Sequence, residues 1–304
     1  MDPKRASITA LITAYSRAYH ATHDTPRIFD DFLIDRMYTP EEHAAFDHNL
    51  AERLQVIDPA LADTAPDQAT ALAHVMQTHH GPITLSRSRY TEDCLAQAIE
   101  AGVEQYVLLG AGLDTFAFRR PDLSAGLQVF EIDHPATQAM KLARLPMLGM
   151  PTPAQLHFIP LDFDTQDLAT ALGQAGYDRQ KKSFFSWLGV TYYLSHQVVF
   201  DTLQTIARLA PRNSSVVFDY MDLDAFDPEK VDPRVRLMQA GAEMVGEPMQ
   251  SGFDPLTLGS ELKTLGFDLA ENLGPAEIEA RYFKGRADNY HAFAQVHFAR
   301  ATLS

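Results

Sequence analysis

The spacing of hydrophobic residues changes along the chain at about residue 105. Before that point, apolar residues recur every three to four positions over residues 8–19, 40–54 and 68–77, which indicates amphipathic helices. After it, short apolar runs alternate with helical segments, as in a parallel sheet covered by helices on both faces. We therefore predict a cap of helices over residues 1–90 and an α/β core over residues 91–304.

Seven apolar runs in the core are predicted to form strands. The first five are expected to be parallel and cover residues 105–109, 128–132, 156–160, 183–188 and 215–220. The last two, 267–273 and 290–300, follow a predicted helix over residues 256–265 that Gly266 ends, and they are expected to pair antiparallel. The pattern thus predicts a seven-stranded, doubly wound, Rossmann-like sheet. An ordinary nicotinamide-binding sheet has six parallel strands instead.

The connection between the fifth and sixth predicted strands is long. It covers residues 222–252 and contains Pro228, Pro233, Pro248 and a helical stretch over residues 235–245. Connections of this length exceed the usual few residues and often form a lid over a site. We predict that residues 1–304 form a single domain, in which the helical cap and this lid build a pocket at the ligand edge of the sheet.

A glycine turn and an acid follow the first two predicted strands. The apolar run 107–109 leads into Gly110, Ala111 and Gly112, and the second strand ends at Asp133, 23 positions after Gly110. Glycines at the carboxyl end of a first strand let a ligand approach the backbone, and an acid after the second strand can accept hydrogen bonds from two ribose hydroxyls. This arrangement predicts a nucleoside site. A glycine turn that binds no ligand is the alternative.

The residues after the turn favour a nucleoside without phosphates. The nicotinamide and flavin fingerprint requires a third glycine at the start of a long helix, but position 115 is Thr. Pro121, together with Asp122 and Ser124, interrupts the helix after roughly two turns, which leaves little dipole to hold a diphosphate. S-adenosylmethionine has the required chemistry, and the extra antiparallel strand favours the methyltransferase variant of the fold.

Composition narrows the classes of protein and partner. Of the 304 residues, 46% are hydrophobic, which suffices for a sizeable core, and the net charge of -15 argues against a nucleic-acid partner. The single Cys94 excludes an intramolecular disulfide framework. The first residues lack the apolar stretch of a signal peptide, and no run approaches the ~18 apolar residues that cross a membrane. We expect a cytoplasmic protein that does not bind membranes.

Several further motifs together resemble one known family. The chain is similar to the leucine carboxyl methyltransferase-like family of S-adenosylmethionine-dependent enzymes, in particular to its bacterial O-methyltransferase branch, which is often found beside polyketide genes. The resemblance implies a class I methyltransferase fold with S-adenosylmethionine as the cofactor. The matching segments cover residues 15–18, 28–31, 86–93, 108–119, 130–135 and 187–194.

The resemblance also implies roles for individual residues. The glycine turn would contact the cofactor, Asp133 would hold the ribose, an arginine would pair with the cofactor's carboxylate, and an acid with its neighbour would recognise the adenine amino group. Leu188 departs from the pattern, because some relatives carry Glu there, so no role is transferred to it. The cofactor-binding residues implied in this way are Arg87 or Arg89, Gly110, Ala111, Gly112, Asp133, Asp162 and Phe163.

Groups that could assist the reaction are less well defined by the sequence. Methyl transfer to oxygen is an in-line displacement that depends mainly on positioning, and a carboxylate acceptor needs no general base. A hydroxyl acceptor could use one of His20, His23, His134 or His196. Aromatic residues after the fourth and fifth strands could contact the sulfonium. The candidates at the reacting atoms are Tyr192, Tyr193, Tyr220 and His196.

No residue spacing indicates a metal site, so we predict a reaction without metal. The predicted reaction is O-methylation of a small molecule, such as a polyketide-type metabolite. Two other functions stay open at this point. One is a nicotinamide-dependent oxidoreductase, and the other is a non-catalytic binding module on the same fold. The sequence does not distinguish a monomer from a homodimer.

Overall fold

The computed structural model describes residues 6–163 and 165–304, which form an α/β sandwich around one sheet. The strands are β1 (Gln105–Leu109), β2 (Gln128–Asp133), β3 (Leu156–Pro160), β4 (Ser183–Trp187), β5 (Ser215–Met221), β6 (Phe267–Leu273) and β7 (Val296–Leu303). Their order in the sheet is β3-β2-β1-β4-β5-β7-β6. Strands β1 to β5 are parallel, and β7 runs antiparallel to both β5 and β6. The predicted seven-stranded sheet with its antiparallel pair is therefore confirmed.

Helices surround the sheet and form the cap. They are α1 (Ile8–His23), α2 (Pro40–Glu52), α3 (Leu54–Ile57), α4 (Pro59–Ala62), α5 (Gln68–Val75), α6 (Gly81–Glu100), α7 (Phe116–Arg119), α8 (Pro121–Ser124), α9 (Pro135–Arg144), α10 (Leu168–Gln174), α11 (His196–Leu209), α12 (Pro233–Met244), α13 (Leu258–Thr264) and α14 (Pro275–Ile278). Helix α6 continues across residue 90, so the cap and the core share this helix. None of the described helices is long and apolar enough to span a bilayer.

Alternation along the strands creates two apolar layers. In β1, Tyr106 and Leu108 pack with the cap helices, whereas Val107 and Leu109 pack into the layer beneath α10, α11 and α13. Successive side chains of a strand point to opposite faces, so a continuous apolar run fills both layers. Each such side chain contributes about 1.5–3 kcal/mol when it is fully buried. Helix α1 packs on α6, and α6 packs on β4, β5 and β7, which brings the cap to the carboxyl edge of the sheet.

Local signals account for where most elements begin and end. Ser7 caps α1 by accepting a hydrogen bond from the Ala10 backbone N–H at 3.0 Å, and Gly266 ends the helical turn before β6 with a φ of +90°. The prediction for the last strand was wrong at both ends, because it placed the strand at residues 290–300. Gln295 has a φ of 66°, which breaks an extended strand, so β7 begins at Val296.

Candidate active site

A cavity of about 510 Å³ lies at the carboxyl ends of β1, β2 and β4. Its walls come from the cap helices α1 and α6, the glycine turn after β1, the loop after β3, part of the segment 186–198 and residues 246–250 of the predicted lid. The volume lies within the range of ordinary small-molecule sites. The cavity therefore occupies the edge where open α/β sheets bind their ligands.

The glycine turn forms the floor of this cavity. The backbone N–H groups of Gly110 and Ala111 both donate to the Ile132 carbonyl, at 2.8 and 3.0 Å, which ties the turn to β2. Gly110 has a φ of +73°, and a Cβ atom there would lie 2.4 Å from Cγ2 of Val190. Glycine is thus required at position 110 by the backbone conformation and by the close passage of the loop after β4.

Asp133 stands beside the turn at the end of β2. One carboxylate oxygen accepts the Gly112 backbone N–H at 2.5 Å, and the other accepts the His134 backbone N–H at 2.7 Å. Burial in the cavity wall raises the pKa of Asp133 above its ordinary value of 3.8, although the two backbone donors oppose this shift. Each oxygen has two lone pairs, so the carboxylate can accept further hydrogen bonds from a ligand.

Arg87 reaches the cavity from α6. Its Nη1 donates to Oδ2 of Asp219 and to the Tyr192 hydroxyl, both at 2.9 Å, and the side chain is buried. Burial opposes the positive charge, but Asp219 outweighs it and raises the pKa of Arg87. Arg89, by contrast, is half exposed and pairs with Asp93 at 2.8 Å on the surface. The structure brings Arg87, and not Arg89, to the cavity wall.

The predicted adenine-recognition residues also lie at the cavity. Asp162 and Phe163 follow β3 and contribute to the wall. The Asp162 backbone N–H donates to Oε1 of Gln166 at 2.9 Å, and the ring centroid of Phe163 lies 6.2 Å from that of Trp187. The structure therefore gathers Arg87, Asp133, Asp162, Phe163 and the glycine turn around one space.

The four candidates at the reacting atoms do not lie together. Tyr193 lines the cavity, whereas Tyr192 lies behind the wall with its hydroxyl bound to Arg87. Tyr220 donates to Oδ1 of Asn272 at 3.0 Å, outside the cavity lining. The side chain of His196 is 56% exposed and likewise lies outside the lining.

Two charged residues at the site were missed by the sequence reasoning. Arg17 of α1 lines the cavity, pairs with Asp31 at 2.8 Å and donates to the Leu113 carbonyl at 3.0 Å. Asp219 is fully buried within β5. The sequence did contain a signal for both residues, because each is a charged residue among apolar residues that are expected to be buried. Arg17 lies on the apolar face of α1, and Asp219 lies inside the apolar run of β5.

Metal ligands were not predicted, and the described residues contain no group of three or more His, Cys, Asp or Glu side chains arranged to hold an ion. The metal-free reaction stays a prediction.

Replacing Gly110 with alanine is expected to lower the free energy of unfolding by about 3 kcal/mol. The loss arises because the backbone conformation is left-handed and because the new Cβ would overlap with Val190. Gly112→Ala is the matched control, because its φ is +53° and its new Cβ would lie 3.6 Å from the nearest atom; it should cost about 1 kcal/mol. Chemical denaturation measures both. Adding Val190→Ala should recover part of the Gly110→Ala loss, and equal losses in the two single variants would contradict this account.

The sheet order and the position of the cavity define a Rossmann-like fold of the class I methyltransferase type. The chain belongs to the leucine carboxyl methyltransferase family, whose family model matches residues 10–207. A Bacillus subtilis (strain 168) protein named "Putative S-adenosyl-L-methionine-dependent methyltransferase YktD" is 37% identical over 302 residues, which cover 99% of each chain. A protein of Mycobacterium sp. (strain JLS) named "Putative S-adenosyl-L-methionine-dependent methyltransferase" is 30% identical over 247 residues, which cover 81% of this chain and 75% of that protein.

A solved structure supports the fold. The crystal structure of a DUF574 family protein from Streptomyces avermitilis superimposes with a TM-score of 0.55 and 15% sequence identity, covering 100% of this chain and 99% of that one. At this identity the similarity concerns the fold alone.

Proposed function

We propose that this protein transfers a methyl group from S-adenosylmethionine to a carboxylate or hydroxyl oxygen of a small molecule. The class, an S-adenosylmethionine-dependent methyltransferase, follows from the family and from the full-length relative. The oxygen acceptor is the further step. The observation that supports it best is that one cavity combines the glycine turn, Asp133 and Arg87 with space beneath the cap.

The residues of the cavity fit the cofactor in three places. Asp133 has lone pairs left for the ribose hydroxyls after it has accepted two backbone N–H groups. Within the described part of the chain, Nη2 of Arg87 donates to no protein acceptor, so it is available to the carboxylate of the amino-acid tail. Asp162 and Phe163 line the same cavity, in which we propose that they recognise the adenine.

The segment after the glycine turn supports a ligand without a diphosphate. Helix α7 has only four residues, Phe116–Arg119, and Pro121 begins a separate turn. So short a helix supplies little dipole to a pyrophosphate, and the backbone N–H of Phe116 is already bound by the Asp114 carboxylate at 2.7 Å. These features do not favour a nicotinamide-dependent oxidoreductase.

The chain's own residues act mainly by positioning. When bound, the cofactor supplies a methyl group that its positively charged sulfur activates for attack. Helices α1 and α6 and residues 246–250 line the cavity, so they would limit the access of water to the reacting atoms, and the wall residues would orient the acceptor. A small molecule is the proposed acceptor, because the net charge of -15 disfavours binding to a nucleic acid.

The geometry of His134 favours a reaction without a general base. His134 lines the cavity, and its Nδ1 accepts the Ala136 backbone N–H at 3.3 Å. The neutral ring therefore carries its proton on Nε2 and has no free lone pair with which to accept one from an acceptor. His20 lies in a buried network with Asp24 and the Ile28 backbone N–H, outside the cavity lining. An acceptor that is already ionised, such as a carboxylate, would need no base from either histidine.

Two measurements test the proposed function. Calorimetry should show binding of S-adenosylhomocysteine and no binding of NAD⁺. Incubation with S-adenosylmethionine and matched sets of aromatic carboxylic acids, phenols and amines should then release S-adenosylhomocysteine with an oxygen acceptor. Absence of binding at millimolar S-adenosylhomocysteine would refute the cofactor assignment, and turnover of the amines alone would refute the oxygen acceptor.

A further inference from the structure

Asp219 is an acid buried in the middle of the apolar strand β5, with no exposed surface. Both of its carboxylate oxygens are used. Oδ1 accepts the Gly189 backbone N–H at 2.6 Å, and Oδ2 accepts Nη1 of Arg87 at 2.9 Å. Its backbone carbonyl accepts the Thr191 hydroxyl at 2.6 Å. Asp219 therefore joins β5 to the loop after β4 and to the arginine of α6.

The loop after β4 is shaped to receive the same arginine. Gly189 has a φ of +70°, and a Cβ atom there would lie 2.5 Å from Nη2 of Arg87. The guanidinium thus lies directly against the Gly189 backbone. The Tyr192 hydroxyl accepts a second hydrogen bond from Nη1 at 2.9 Å. Asp219 and Tyr192 consequently hold Nη1, while Nη2 lies against Gly189, which like Arg87 belongs to the cavity wall.

We propose that Asp219, assisted by Gly189 and Tyr192, is a positioning residue that orients Arg87 so that its Nη2 takes the carboxylate of the cofactor's amino-acid tail. This inference rests on the proposed function, because it requires that carboxylate at the cavity. Asp219 need not touch the ligand. It restricts a long side chain with many rotamers to the one arrangement that presents a donor, and such pre-organisation improves affinity for the tail alone.

The test compares two ligands that share the adenosine but differ in the tail. S-adenosylhomocysteine carries the amino-acid carboxylate, and 5′-methylthioadenosine lacks it. Asp219→Asn is the main variant, because both oxygens of Asp219 face donors and an asparagine must turn its NH2 group towards one of them. Asp222→Asn is the matched control, since Asp222 lies three residues further along and outside the cavity lining.

Calorimetry on the full chain should show that Asp219→Asn lowers the affinity for S-adenosylhomocysteine about tenfold and changes the affinity for 5′-methylthioadenosine by no more than about twofold. Asp222→Asn should change neither. Tyr192→Phe removes one acceptor and keeps the ring, so it should give a smaller, tail-selective loss. If Asp219→Asn does not fold, the positioning role is tested with Tyr192→Phe, which should lower the affinity for S-adenosylhomocysteine but not for 5′-methylthioadenosine.

Equal weakening of the two ligands would show that Asp219 is only structural and overturn the positioning role, as would unchanged binding of both. If the wild type binds the two ligands equally well, the positioning role fails while the cofactor assignment stands. If the wild type binds neither, both proposals fail.

Discussion

Asp133→Ala should weaken the binding of S-adenosylhomocysteine and of 5′-methylthioadenosine alike, by about 3 kcal/mol or more than about 100-fold. Both ligands contain the ribose, and the proposed role of the Asp133 carboxylate is to accept hydrogen bonds from the ribose hydroxyls. Isothermal titration calorimetry measures the two affinities. The variant also leaves the Gly112 and His134 backbone N–H groups without their acceptor, so the melting temperature must be measured separately.

Asp122→Ala is the control for this experiment, because Asp122 is an exposed acid that pairs with Arg120 away from the cavity. It should change neither affinity. An Asp133→Ala protein that binds both ligands as tightly as the wild type would remove Asp133 from the ribose site. A loss for S-adenosylhomocysteine alone would place the tail, and not the ribose, next to Asp133.

Arg87→Lys should weaken the binding of S-adenosylhomocysteine by about 1.5–3 kcal/mol and leave the binding of 5′-methylthioadenosine nearly unchanged. Lysine keeps a positive charge for Asp219 but cannot bond to Asp219, Tyr192 and a ligand carboxylate with the planar fork of the guanidinium. The same calorimetric pair of ligands reports the loss. Because the charge is retained next to buried Asp219, the fold should survive better than with Arg87→Ala.

Arg89→Lys is the internal control for Arg87. Its side chain is 51% exposed and pairs with Asp93, so the substitution should affect neither ligand. A tail-selective loss in Arg89→Lys, with none in Arg87→Lys, would reverse the assignment. The two variants thus decide which arginine of the 86–93 segment holds the carboxylate.

The fold could be predicted because its determinants are local in the sequence. The apolar runs at residues 105–109, 156–160 and 267–273 match β1, β3 and β6 at both ends. For β1 and β6 the local signal is a glycine at the end of the run, Gly110 after β1 and Gly274 after β6. The last strand was misplaced because its start depends on the loop before it. Tyr290 is buried and donates its hydroxyl to Asp24, a contact 266 positions away that no local pattern contains.

The site was predictable where its residues follow strand ends. Gly110 directly follows β1, Asp133 is the last residue of β2, and parallel neighbouring strands bring such residues together. Asp219 was not recognised because it lies inside β5. Its connection to the site is a hydrogen bond from Arg87, which lies on α6, far away in the sequence. The shape of the cavity likewise depends on how α1, α6 and residues 246–250 meet.

The sequence alone thus determined the class of fold, the seven strands and the edge at which the glycine turn and Asp133 stand, because hydrophobic periodicity and turn chemistry act over a few residues. The tertiary structure showed that Arg87, and not Arg89, lies at the cavity. Two helical positions differ by about 200° around the axis, so these side chains leave α6 on opposite sides, and only the packing of α6 on the sheet shows which side is the cavity.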